Sequence, residues 1–227
     1  ARNISFHGEP MYAEATLQKL QAGLLSVLRM AKKDPDMTVG IDIGSLQKIA
    51  AKTFRSVHLH PEEIQLILDG SFRNVSTHLE NARNLMLLQL FSGVRVSDLP
   101  QVLRNPIREV RGRRTTFKAI YLSTFKTGEP ICLPLLKPML DILEGERKPH
   151  MIAHQNLNQH YKEVARRLHL DRIIHTVERK ANTKRIDHQD ELHTILRTHD
   201  CRRTFFSMLV GYLFVSRLLA TQVTGHR

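Results

Sequence analysis

The chain reads as a mainly α protein with one small antiparallel β-sheet, an α+β arrangement. Three observations predict it. Apolar residues recur at helical spacing, as in Leu17, Leu20, Leu24, Leu25 and Leu28. Two extended runs, Phe117 to Phe125 and Ile131 to Pro134, flank the turn-forming stretch Lys126-Thr127-Gly128-Glu129. No internal repeat or low-complexity tract interrupts this pattern.

Taken in order, residues 13–31 form a helix that Lys32-Lys33-Asp34-Pro35-Asp36 breaks, and a second helical stretch follows from about Ser45 to Thr53. Arg55 to His60 is a connector. Pro61-Glu62-Glu63 then opens a helix well, because proline suits the first helical position and acids favour the positive end of the dipole. A domain boundary is placed there, dividing residues 1–55 from 56–227. The first segment is short for an independent domain and reads as the remainder of one.

Helix resumes from about Val75 to Phe91 around Leu85, Leu87, Leu88 and Leu90, and Ser92-Gly93 ends it. Ser97-Asp98 is a cap for a short helix. A basic run with Arg108, Arg111, Arg113 and Arg114 precedes the hairpin, which carries Lys126 beside its tip. Helical spacing returns from Lys137 and continues through Leu157, Tyr161, Val164, Ala165 and Leu168. Residues 172–195 are polar and lack a strong period; they read as a loop with a short strand at Ile173 to Val177. The apolar segment Phe205 to Ala220 reads as a buried helix pair, with Phe205, Phe206, Leu209, Phe214, Leu218 and Leu219 in the core.

Composition narrows the function. The 227 residues hold 34 Lys and Arg against 22 Asp and Glu, a net charge of +12. That surplus favours a polyanionic partner, nucleic acid ahead of an anionic membrane surface. Cys132 and Cys201 are the only cysteines, which excludes a disulfide framework and fits a reducing compartment. Thirteen histidines are scattered without metal-ligand spacing, so no metal site is expected. The N-terminal residues lack a secretory apolar run, and Gly211 and Arg217 interrupt the most apolar segment. A soluble, cytoplasmic, nucleoid-associated protein is the expectation.

The segment Thr198-His199-Asp200-Cys201-Arg202-Arg203-Thr204-Phe205 carries the chemistry. His199 and Arg202 are three positions apart, so on a helix both can address one anion. Joined to Gly93-Val94-Arg95-Val96-Ser97-Asp98-Leu99, Lys126-Thr127-Gly128 and Thr224-Gly225-His226, in that order on a basic chain, this pattern resembles the tyrosine recombinases, the phage-integrase family. The wording is most similar to integrases of bacterial mobile elements, and the resemblance spans residues 57–227. No single motif is decisive; four in the right order are specific.

The resemblance implies a site-specific DNA recombinase working through a 3′-phosphotyrosine, with double-stranded DNA as partner and a tetramer on DNA, a monomer or weak oligomer without it. Arg95 and Arg202 match the two arginines that stabilise the phosphorane-like charge. Lys126 matches the general acid for the leaving 5′-oxygen, and His199 and His226 match the proton-handling positions. Neither metal nor ATP is implied. Asp98 stands where the family often has Glu, with a role in orienting Arg95 or capping. Residues 1–55 match the C-terminal part of a helical DNA clamp. Arg108, Arg111, Arg113, Arg114, Lys118, Lys162 and Arg166 are candidate DNA contacts, and the helix bearing Asn158, Lys162 and Arg166 is a candidate base reader.

The sequence departs from the family pattern at Cys201 and Arg203, where apolar and His residues are common. The chain ends at Arg227, before the family's nucleophilic tyrosine, and none of Tyr12, Tyr121, Tyr161 or Tyr212 aligns with it. The expectation is a chain that holds the scissile phosphate without cutting it. A type IB topoisomerase and a catalytically inactive DNA-binding protein of the same fold are the alternatives.

Overall fold

The computed structural model describes residues 14–45, 57–178 and 186–224 of the chain. By packing these belong to two units. One lies within Ser56–Ile174 and Asp190–Arg227, the other within Ala1–Arg55 and His175–Gln189. The grouping of 175–189 with the N-terminal residues has no signal in the sequence.

The larger unit is built around one helix. The smaller unit holds α1 (Glu14–Lys33) and a 3-10 turn at Ile43–Ser45; in the larger, α2 (Pro61–Asp69) opens as its Pro-Glu-Glu start predicts. The Glu63 carboxylate accepts the His60 N–H at 2.7 Å and is held by Arg172 Nε at 2.7 Å. Helix α3 (Thr77–Ser92) is capped by Ser76, and its second half, from Leu85 to Leu90, is buried on every side; Leu85, Met86, Leu88 and Leu90 are fully buried. The run Leu85-Met86-Leu87-Leu88 covers all sides of that half and belongs inside a core. The helix is surrounded by α5 (Lys137–Leu143), α6 (His154–Arg167) and α8 (Thr198–Ser207). Helix α6 turns Leu157, Tyr161, Val164 and Ala165 inward, one stripe at helical spacing.

The sheet has three strands rather than a bare hairpin. Short helix α4 (Leu99–Arg104) leads to β1 (Arg108–Arg111), which pairs antiparallel with β2 (Thr116–Ser123), and β2 with β3 (Pro130–Pro134). Arg108 faces Ala119 and Ala119 faces Pro134 across the two ladders. The basic run is thus an edge strand and its turn. Charged residues there discourage further strand pairing, which is why no apolar alternation announced it.

Two other expectations change. The polar segment carries its expected short strand as β4 (Ile173–Glu178), but the rest is not a loop: β5 (Ile186–Glu191) pairs with β4 in a two-stranded sheet, followed by the single turn α7 (Leu192–Ile195). The apolar segment 205–220 is not a buried helix pair. Helix α8 passes into a π-helical turn at Met208–Tyr212, Phe214 takes a left-handed φ of 52°, and α9 (Arg217–Thr224) follows. Phe214 and Leu218 are 86 % and 73 % exposed, and Leu219 is exposed too. The expected helix at 45–53 lies mostly outside the described residues. Among the described residues no helix is long and apolar enough to cross a membrane.

Candidate phosphate-binding site

Helix α3 ends at Gly93, whose φ of 64° lets its N–H close on the Gln89 carbonyl at 2.9 Å. The chain then turns, with Asp98 N–H donating to the Arg95 carbonyl at 2.9 Å, and enters α4. This turn sets Arg95, half-buried, at the edge of the core. Arg202 arrives from α8. It is only 3 % exposed, and its Nη1 donates to the Gly93 carbonyl at 2.6 Å.

Two guanidinium groups so placed work against each other. Burial draws the Arg202 pKa down to about 10, the charge of Arg95 adds to the fall, and the Asp98 carboxylate opposes it. Arg202 therefore stays charged at neutral pH in a setting that disfavours its charge. An anion arriving there relieves both costs at once, which is how a preorganised oxyanion or phosphate site is built.

Asp98 connects this pair to the hairpin. It is 1 % exposed, and its Oδ1 accepts the Phe125 N–H at 2.8 Å. The expected helix cap is not what this side chain makes: it forms no cap hydrogen bond to α4. Beyond Phe125 the tip is closed by its own bonds. Buried Thr124 donates its N–H to the Glu129 carbonyl at 2.9 Å, Gly128 N–H returns to the Thr124 carbonyl at 2.8 Å, and the Thr124 and Thr127 hydroxyls lie 2.6 Å apart. Gly128 accommodates this with a φ of 69°. Lys126 sits at the tip with its side chain exposed. Gly93, Asp98, Thr124 and Arg202 line one small recess.

His199 lies on the first turn of α8. Burial lowers its pKa below 6.5; Arg203 lowers it further, Asp200 opposes, and Arg202 and Arg95 add to the fall. The imidazole is mainly neutral at pH 7 and shares the field of both arginines. The turn is fixed from α6, where Asn158 Oδ1 accepts the Thr198 N–H at 3.0 Å and His154 Nε2 lies 3.1 Å from the Thr198 hydroxyl. Asp200 accepts the Arg197 N–H at 2.9 Å and pairs with Arg203 at 3.1 Å. His154 is a positioning group that no motif pointed to, and Asn158, expected on a base-reading face, holds the start of α8 instead; only contact across α6 and α8 reveals these roles. His226 and Gly225 lie outside the described residues.

The other basic residues divide by their partners. Arg108 and Arg111 are exposed on β1, and Arg113 and Arg114 on its turn to β2. Lys118 pairs with Glu144 at 2.5 Å, and Arg166 is gripped by Glu163 through two bonds of 2.8 Å. The guanidinium groups of Arg166 and Arg167 hold the Glu163 carboxyl down at about 2. Lys162 lies half-buried on the same helix.

No family model and no curated protein matches the chain. Solved structures do match in shape. The XerH site-specific recombinase bound to palindromic difH substrate, in a post-cleavage complex, superposes with a TM-score of 0.63 at 16 % identity over 94 % of this chain and 61 % of that one. A lambda integrase dimer bound to a COC′ core site gives 0.54 at 16 % identity, over 94 % of this chain and 57 % of that one. A lambda integrase tetramer bound to a Holliday junction gives 0.52 at 15 % identity, over 94 % and 57 %. This chain thus spans about three fifths of the length of the XerH protein. Its fold is that of the tyrosine recombinases.

Proposed function

We propose that the chain belongs to a site-specific DNA recombinase and that Arg95, Lys126, His199, Arg202 and His226 bind and activate the scissile phosphate of double-stranded DNA. The observation that carries this reading is the recess shared by Arg202, bonded to the Gly93 carbonyl, and buried Asp98, bonded to the hairpin tip at Phe125. It supports a single anion site addressed by both arginines with Lys126 beside it. Residues 56–227 are the strand-transfer domain, and residues 1–55 contribute to a clamp on the DNA. Assembly on DNA is tetrameric.

In the reaction a tyrosine hydroxyl attacks phosphorus, the bond to the 5′-oxygen breaks, and Lys126 gives that oxygen a proton. Arg95 and Arg202 hold the non-bridging oxygens as charge builds on them. Losing one such donor costs on the order of 10²–10³ in rate. Neutral His199 accepts or relays the proton of the attacking hydroxyl. The nucleophile is not Tyr161, whose buried hydroxyl donates to Gln89 Oε1 at 2.9 Å. Arg108, Arg111, Arg113, Arg114 and Lys162 bind flanking phosphates with steep salt dependence, and Lys118 and Arg166 join after exchanging their carboxylate partners Glu144 and Glu163.

The test is a nicked suicide duplex carrying the recombination site, incubated with the protein at native length. A covalent protein–DNA band on a denaturing gel, lost in Arg202→Ala while duplex binding persists, is the expected result. Binding without any covalent band in the unaltered protein would favour an inactive DNA-binding protein instead.

A further inference from the structure

One large apolar side chain in the hairpin is not used by the reading above. Phe125 precedes Lys126 and is 80 % exposed. Leaving such a ring in water forgoes the gain of burying it. Its exposure does not follow from a loose loop. The Phe125 N–H is held by buried Asp98, and the turn that carries it is closed by the Thr124–Glu129, Thr124–Gly128 and Thr124–Thr127 bonds. The tip therefore presents an aromatic face outward from a fixed backbone, next in sequence to Lys126 and bonded to the carboxylate that faces Arg202.

Cations beside an exposed aromatic ring on a fixed backbone are the combination that grips unstacked or partly unstacked nucleobases. The cations hold the phosphodiester backbone, and the ring offers a surface on which any base can stack. We infer that Phe125 packs its ring against the nucleobase adjoining the phosphate held by Arg95 and Arg202. The hairpin tip then engages the phosphate and the neighbouring base as one rigid piece. This rests on the DNA reading of the site and adds to it a base-contacting residue.

The sequence contains no tryptophan, so Phe125→Trp places a single indole at the tip. The full chain carrying it is titrated with a fluorescein-labelled mixed-sequence duplex nicked at its centre. Label anisotropy reports binding, and indole emission with acrylamide quenching reports contact. Base stacking is expected to quench the indole and shield it from acrylamide as anisotropy rises. Phe125→Ala should bind about tenfold more weakly, within what base–aromatic stacking supplies, and Phe125→Tyr should restore affinity. An indole that stays bright and acrylamide-accessible while the duplex binds overturns the contact and leaves the DNA reading standing. Unchanged affinity in Phe125→Ala overturns it equally. Failure of the unaltered chain to bind the duplex at all overturns both.

Discussion

Arg202 on α8 donates to the carbonyl of Gly93 at the end of α3, a 2.6 Å bond between residues 109 positions apart. A backbone acceptor of this kind leaves the guanidinium little freedom, since Gly93 is itself fixed by its bond to Gln89. Gln89 is anchored in turn, accepting from Tyr161 and donating to the Val94 carbonyl at 3.3 Å. The arginine's placement thus rests on the helix C-terminus of α3.

Gly93→Ala should therefore disturb the site through the backbone. A Cβ there would lie 2.2 Å from Phe205 Cδ1, and the φ of 64° disfavours any L side chain. The left-handed conformation costs about 1–2 kcal/mol and the overpacking about 1–3 kcal/mol. Urea unfolding should show a loss of that combined order. A variant as stable as the parent would mean that Phe205 moves aside and the backbone leaves the left-handed region, both at no cost.

Asp98→Asn separates charge from hydrogen bonding. The amide oxygen can still accept the Phe125 N–H, but the negative charge facing Arg202 is gone. The repulsion between Arg95 and Arg202 then loses the charge that opposes it. The variant should melt lower, and inorganic phosphate should raise its Tm more than that of the parent by supplying the missing anion. Equal phosphate response in both proteins would remove Asp98 from this role. Asp98→Ala should be weaker still, because it also releases the hairpin tip.

Sequence reasoning reached the parts of this site that are local. The hairpin was legible because apolar alternation flanks a Gly-containing turn, and α3 because its apolar run is long. The convergence of Arg95 and Arg202 was not a matter of spacing; only the resemblance to a family joined them. Asp98 looked like a cap because it precedes a helix, yet its carboxylate is drawn to a backbone donor 27 residues away. Strands β1 and β5 are rich in charge, so they carry no period that tells a strand from a loop. The segment around Phe214 shows the opposite error. Apolar composition says what can be buried, but the π-turn and the left-handed residue there turn the chain outward.

Tyr161→Phe tests the assignment of a hydroxyl to structure rather than chemistry. Burial pushes the Tyr161 phenol well above its usual pKa, so the nucleophilic phenolate is disfavoured. Its removal leaves buried Gln89 Oε1 without that donor, at a cost of about 1–3 kcal/mol. Denaturation should register this loss, while the covalent band from a suicide duplex should persist at a temperature where the variant is folded. A folded variant that has lost the band would make Tyr161 part of the reaction.

The pH response of His199 separates the stability of the free protein from its affinity for DNA. Its folded pKa lies below the ordinary 6.5, chiefly through burial and the nearby arginines, and His58 is shifted the same way by burial and His60. Between each folded value and 6.5 the unfolded chain binds more protons, so stability is fully present above 6.5 and declines as pH falls through that window. A phosphate beside His199 reverses the local field and raises its pKa. DNA binding should then take up a proton and strengthen over the same range in which the free protein weakens. Urea titrations and duplex-binding isotherms between pH 5 and 8 should slope in opposite directions, and His199→Gln should flatten the binding curve while leaving the His58 part of the stability slope. If binding weakens in parallel with stability as the pH falls, His199 does not meet the phosphate.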